Sequence, residues 1–165
     1  ASSQIECLHL PLFIFHLLDP HLFNKAIKAF IVLSLTDWPR LQGMYPTSPS
    51  DSEKVQVFVV DFERISDFVD IGKEDYVCVM TRGHAYDTSV QAQILRTPAS
   101  YIGVIGSASK KAAVYQKLYA MGFTTEDTDR ITSPIGLSIK AETPAEIAIS
   151  IAAQMIMHRA EKSKQ

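Results

Sequence analysis

A chain of 165 residues fits one domain and can bury a substantial core. Its 47% hydrophobic and 21% charged residues are ordinary for a globular protein, and a net charge of −2 with a pI near 6.2 supplies no global field for nucleic acid or an anionic membrane. Any anionic ligand must be held by local groups.

In chain order, the apolar run Leu8 to Leu18 is too short to span a membrane and lacks a basic leader or small-residue cleavage site. It reads instead as a core strand over Leu12–Phe15. A helix over Leu22–Ala29 and a strand over Phe30–Leu35 follow, then a Pro-, Ser- and Thr-rich loop from Leu41 to Lys54. Val55–Val60 has strand length, and Glu63–Val69 is helical in pattern. Tyr76–Met80 is a strand, followed by a helix over Thr88–Leu95 that Asp87 is placed to cap and Pro98 to follow.

Tyr101–Ile105 is the next strand, and the helix Ser109–Met121 meets its stop at Gly122. Thr124–Arg130 has the form of a short acidic helix. Thr143-Pro-Ala-Glu146 is a capping box with proline at the first helical position, opening a final helix to about Arg159. Ile147, Ile151, Met155 and His158 share one face of it, with Ile149 and Ala152 beside them, as in a helix packed on a sheet. The tail Ala160–Gln165 is expected to fray. Strands that are apolar throughout, alternating with helices, predict an α/β doubly wound, mostly parallel sheet of five to six strands flanked by helices, in a single domain over residues 1–165.

Ligands of open α/β sheets bind outside the carboxyl ends of the strands. At one such end stands Thr81-Arg82-Gly83-His84, combining a hydroxyl, a fixed cation, a glycine that permits close approach and an imidazole. Asp87 could orient the His84 ring or cap the helix. The alternative is a satisfied turn in which Arg82 pairs with a nearby acid. At the next strand end, Gly103-Val-Ile-Gly106-Ser107-Ala-Ser-Lys110-Lys111 places glycines and hydroxyls before a helix amino terminus, where backbone N–H groups and the helix dipole favour an anion. Lysines in a first turn oppose that dipole unless an anion or an acid compensates. A capped helix with solvated lysines is the competing reading. Ser133-Pro-Ile-Gly136-Leu137 is either a loop returning to the same crevice, with Ser133 as a contact, or a hydrophobic spacer.

Cys7 and Cys78 have no metal-ligand spacing, and Cys78 sits inside an apolar strand as a small hydrophobe. This usage suits a reducing, cytoplasmic compartment. His9, His16, His21 and His158 are scattered without metal-binding spacing, and no catalytic nucleophile or metal site is expected. A dinucleotide-binding unit needs a glycine-rich turn after its first strand, whereas this chain has His16-Leu-Leu-Asp-Pro20-His21 and its first glycine is Gly43. Ordinary NAD(P) binding at that turn is disfavoured, although Asp37 stands where a ribose-binding acid would.

Taken together, Thr81–Asp87 (TRGHAYD), Tyr101–Lys111 (YIGVIGSASKK), Ser133–Leu137 (SPIGL) and Ala141–Ile151 (AETPAEIAISI) resemble the C-terminal Rossmann domain of the xanthine dehydrogenase accessory factor (XdhC/CoxI) family. The resemblance runs from about Asp61 to Arg159 with the motifs in order, and is weaker from Pro11 to Ser52. It implies a Rossmann-like fold and a non-catalytic, accessory role: binding the molybdenum cofactor (molybdopterin), protecting it during sulfuration and assisting its insertion into a xanthine dehydrogenase-type molybdoenzyme. The implied ligand contacts are Thr81, Arg82, Gly83 and His84, with Gly103, Gly106, Ser107, Lys110 and Lys111. The implied partners are the target enzyme, a sulfur-donating desulfurase and a second copy in a homodimer. Members usually carry a further N-terminal domain, so the chain is expected to be the C-terminal part of a longer architecture or to work with a separate partner. Members also show a GAGH-type turn after the first strand, where this chain has His16–His21. An NAD(P)-dependent oxidoreductase using the same crevice, and a ligand-free docking module for the target dehydrogenase, are the alternatives.

Overall fold

The computed structural model describes residues 29–33, 61–81 and 86–164. The expected strands Leu12–Phe15 and Val55–Val60, the helix begun at Leu22 and the loop Leu41–Lys54 lie outside the described residues. Within them, β1 (Ala29–Leu33), β2 (Tyr76–Met80), β3 (Tyr101–Val104) and β4 (Ile131–Thr132) form a sheet in that order, with every neighbouring pair parallel. Four strands are thus seen here where five to six were expected of the whole chain.

Helices α1 (Asp87–Leu95), α2 (Ala108–Ala120), α3 (Thr125–Asp129) and α4 (Pro144–Lys162) connect and cover the strands. Side chains alternate across a strand, and both faces are buried. Val77, Val79, Ile102 and Val104 pack with Val90 and Ile94 of α1 and with Val114 and Leu118 of α2. On the opposite face Tyr76, Cys78, Met80 and Tyr101 pack with Ala148, Ile151 and Met155 of α4. Helices on both faces of a parallel sheet explain why these strands read as unbroken apolar runs. Ile149, expected beside the buried face, is 52% exposed; Ala148 takes the inner position.

Local signals set most boundaries. The Ser107 hydroxyl accepts from the Lys110 N–H at the start of α2, and Gly122 ends that helix with a φ of +91°. Thr124 with Asp127 and Thr143 with Glu146 close capping boxes at α3 and α4. The end of α1 is closed from a distance, because Arg130 donates to the carbonyls of Leu95 at 2.7 Å and Thr97 at 2.8 Å.

Two expectations change. The segment predicted as a helix over Glu63–Val69 is a 3₁₀ turn, Phe62–Asp67, interrupted at Arg64. Its two buried residues, Phe62 and Ile65, stand three apart, the spacing that a 3₁₀ turn aligns on one side. The final helix continues past Arg159 to Lys162, whose ammonium donates to the Lys73 carbonyl at 2.9 Å and pairs with Glu74 at 3.1 Å. Those contacts hold the turn that was expected to fray.

Candidate functional site

The carboxyl ends of β2 and β3 lie side by side, because the strands are parallel and in register from Tyr76 opposite Tyr101 to Val79 opposite Val104. Beyond them the Ile105 N–H donates to the Val79 carbonyl at 3.0 Å, and the Ile135 N–H donates to the Val104 carbonyl at 3.0 Å. Three chain segments therefore converge on one crevice: the exit of β2, the turn from β3 into α2, and the loop after β4. An open cleft there is lined by Asp87 and Gln91 of α1, by Gly106, by Lys110 and Lys111 of α2, and by Ser133.

At the exit of β2, the Thr81 hydroxyl donates to the Asp87 carboxylate. Asp87 is the first residue of α1 and buried, and the residue at the cap, Tyr86, makes no side-chain capping bond. Asp87 was expected as that cap; its carboxylate is instead turned back to the strand end, where Thr81 offers a donor. Arg82, Gly83 and His84 lie outside the described residues, between Thr81 and Tyr86.

At the exit of β3, Gly106 is half-buried and open towards Lys110, whose Cβ and Cδ are each 3.8 Å from the place of a Gly106 side chain. Ser107 caps α2 and hydrogen-bonds Ser109 at 3.0 Å. The first turn of α2 has no acidic residue, so the two lysines have no carboxylate there to offset the dipole they oppose. The Lys111 ammonium donates to the Ser133 carbonyl at 3.4 Å and lies 5.1 Å from the centre of the Tyr115 ring. Burial pushes the Tyr115 hydroxyl up to about 12, and as a neutral phenol it donates to the Thr128 carbonyl at 3.0 Å. The loop Ser133–Leu137 combines both of its readings: Ser133 borders the cleft, and Ile135 is buried in the core.

Gly103 is placed differently from its neighbours. It is buried within β3 on the face turned to α4, and the volume a side chain would need is taken by the end of Ile135 and by Tyr101 Cε1 at 2.8 Å. Its missing side chain serves packing between strand, loop and helix. Cys78 is on that same inner face, fully buried, and desolvation pushes its thiol up to about 12. It is no nucleophile for the cleft. Among the described residues no group of His, Cys, Asp and Glu could hold a metal ion, and no helix is long and apolar enough to cross a membrane.

Sequence reasoning missed Gln91. It is 3% exposed and follows Asp87 by one helical turn, so both face the cleft. A glutamine in the middle of a buried helix face, four residues after an acid, was the available signal.

Cations and a helix amino terminus occupy one wall, a carboxylate and a primary amide the other.

Comparison with known proteins places this geometry in a family. The XdhC Rossmann domain matches residues 28–155. A protein of Bacillus subtilis (strain 168) described as a probable xanthine dehydrogenase subunit is 26% identical over 138 residues, 84% of this chain and 39% of that protein. The uncharacterized protein YqeB of Escherichia coli (strain K12) is 30% identical over 88 residues, 53% of this chain and 16% of that protein. The crystal structure of a xanthine dehydrogenase from Bacillus halodurans superposes with a TM-score of 0.58 at 26% identity, covering 83% of this chain and 44% of that one. The chain thus spans less than half the length of each of these relatives. With a parallel sheet, helices on both faces and a family match over most of its length, this chain belongs to the XdhC family through its Rossmann domain.

Proposed function

We propose that this domain serves a xanthine dehydrogenase-type molybdoenzyme by holding the molybdenum cofactor while it is sulfurated and delivered. The observation that carries this reading is the amino end of α2: Gly106 borders a capped helix terminus whose first turn presents Lys110 and Lys111 and holds no acidic residue of its own. Molybdopterin carries a phosphate, and backbone N–H groups with two ammonium groups are suited to it. Family membership and relatives named as xanthine dehydrogenases support the direction. Arg82, Gly83 and His84 follow Thr81 directly, and under this reading they contact the cargo from the β2 side. The target enzyme, a sulfur-donating desulfurase and a second copy of the chain are the partners it implies, in the cytoplasm.

Anaerobic titration of the protein with molybdenum cofactor, with molybdenum and pterin assayed after gel filtration, tests it. Stoichiometric retention is expected. Arg82→Ala should weaken binding more than tenfold, about 1.4 kcal/mol, without unfolding the domain, and Lys110→Ala with Lys111→Ala should do the same. Folded protein that retains no cofactor overturns the reading.

A further inference from the structure

The outer flank of α4 is apolar where a solvated helix would be charged. Ile149 is 52% exposed, Ile156 45% and Met157 44%, and between Glu146 and Arg159 the helix carries no Asp, Glu, Lys or Arg. Packing on the sheet accounts for Ala148, Ile151, Ala152 and Met155 alone. Exposed apolar side chains scattered singly are normal on a protein surface, whereas a continuous stripe marks a contact. Here Ile149, Ala153, Ile156 and Ala160 recur at alternating spacings of four and three residues, the repeat that keeps one seam of a helix turned to a partner helix. Ala153 is half-buried and Ala160 exposed, so the seam is open along its length.

We propose that this seam joins α4 to α4 of a second copy of this chain, antiparallel about a two-fold axis. Such an interface must be complementary to itself, and side-chain size sets its register. With Ala153 opposite the partner's Ile156, the two-fold axis sets Ile149 opposite the partner's Ala160, so every large side chain meets a small one. A parallel pair would stack Ile149 on Ile149 and Ala153 on Ala153, and would set Glu142 and Glu146 against their own copies. Charge favours the antiparallel pair: Glu142 and Glu146 stand at the amino end, and at the carboxyl end Arg159, Lys162 and Lys164 outnumber Glu161. Antiparallel helices also oppose their dipoles.

The pairing leaves the cleft clear. α4 starts after the loop that borders the cleft and ends beside Lys73, Glu74 and Ser100, which precede β2 and β3. Antiparallel helices therefore point the two clefts to opposite ends of the dimer, away from the seam. This inference rests on the functional reading only in taking a second copy as a partner, and it assigns that copy a surface.

Sedimentation velocity of the full chain over a range of concentrations tests it. A reversible equilibrium between monomer and dimer is expected. Ile149→Glu and Ile156→Glu change exposed positions, so each should leave the circular dichroism spectrum unchanged and raise the dissociation constant by about tenfold or more. Disulfide trapping in a Cys7→Ser background reads the register. Ala153→Cys protein mixed with Ile156→Cys protein should form a mixed disulfide faster than either variant links to itself. A chain that stays monomeric at its highest soluble concentration overturns the proposal and gives the face to another segment of this chain or to the target enzyme. A dimer that survives in both folded glutamate variants overturns it as well. Cofactor retained by a monomer sinks only this inference, whereas a dimer that retains no cofactor sinks only the cargo reading.

Discussion

The side chain of Gln154 on α4 receives the Tyr101 hydroxyl of β3 at 2.6 Å, and the same oxygen accepts the Gly136 N–H at 2.7 Å. One amide oxygen thereby fixes helix, sheet and the loop that borders the cleft. Burial pushes the Tyr101 hydroxyl well above the usual phenol range, keeping it a neutral donor. Gln154→Leu leaves two donors without an acceptor and should cost about 1–3 kcal/mol. Tyr101→Phe leaves the oxygen still accepting from Gly136 and should cost about 1 kcal/mol. Urea denaturation followed by circular dichroism checks the order; a larger loss in Tyr101→Phe refutes it.

Gly103→Ala places a methyl group where Ile135 Cγ1 is 2.7 Å and Tyr101 Cε1 is 2.8 Å away. Both neighbours are buried, and overpacking of this kind should destabilise the domain by about 1–3 kcal/mol. Combining it with Ile135→Ala should cost less than the sum of the two single changes, because the smaller side chain vacates the contested volume. Additive losses would show that the two positions do not compete.

Cys78 should be chemically silent in the folded protein. Its thiol is fully buried in the sheet and pushed up to about 12 by desolvation, so it offers neither access nor thiolate. In a Cys7→Ser variant, Ellman's reagent should label no thiol until urea is added, and then one per chain. Rapid labelling of native protein would contradict this placement.

Stability should depend on His158 through a window below neutrality. Its Nδ1 is 3.1 Å from the Tyr76 hydroxyl, and its ring meets those of Tyr76 and Tyr101 edge-on. Burial first, then the Lys162 charge, lowers its pKa below 6.5, with Glu161 opposing. The unfolded chain therefore binds a proton more readily, and stability rises with pH across the window between the two values. The contribution is complete above about pH 6.5 and is lost as pH falls from there to the folded value. His158→Gln should show a shallower decline in urea midpoint between about pH 7.5 and 5.5 than the parent. Equal slopes would remove His158 as the source.

A separate loss should appear in stronger acid. Backbone N–H bonds at the capping boxes hold Glu146 and Asp127 below their ordinary values of 4.5 and 3.8. A depressed carboxylate stabilises above its unfolded value and ceases to do so as pH falls through the folded one. Glu146→Gln with Asp127→Asn should narrow the gap to the parent as pH is lowered from about 5 to 3. A gap independent of pH over that range would exclude the carboxylates.

The sequence by itself determined the features whose causes lie within one turn of chain. The boxes at Thr143 and Thr124, the stop at Gly122 and the apolar strand Tyr76–Met80 all follow from neighbours a few residues apart. The tertiary structure decided what depends on which distant atom fills a space. Glycine at position 103 reads locally like its neighbour Gly106, yet Ile135, arriving from beyond β4, makes it a packing residue. β4 itself is two residues long, too short to carry a pattern, and exists because β3 offers an edge to pair with. The donor of the neighbouring strand end draws Asp87 away from a capping role, and packing turns Gln91 from an ordinary helical residue into a buried polar group lining a cleft. Local hydrogen bonds are encoded in adjacent residues; burial is a property of the whole packed chain, and the polar wall of this site is a consequence of burial.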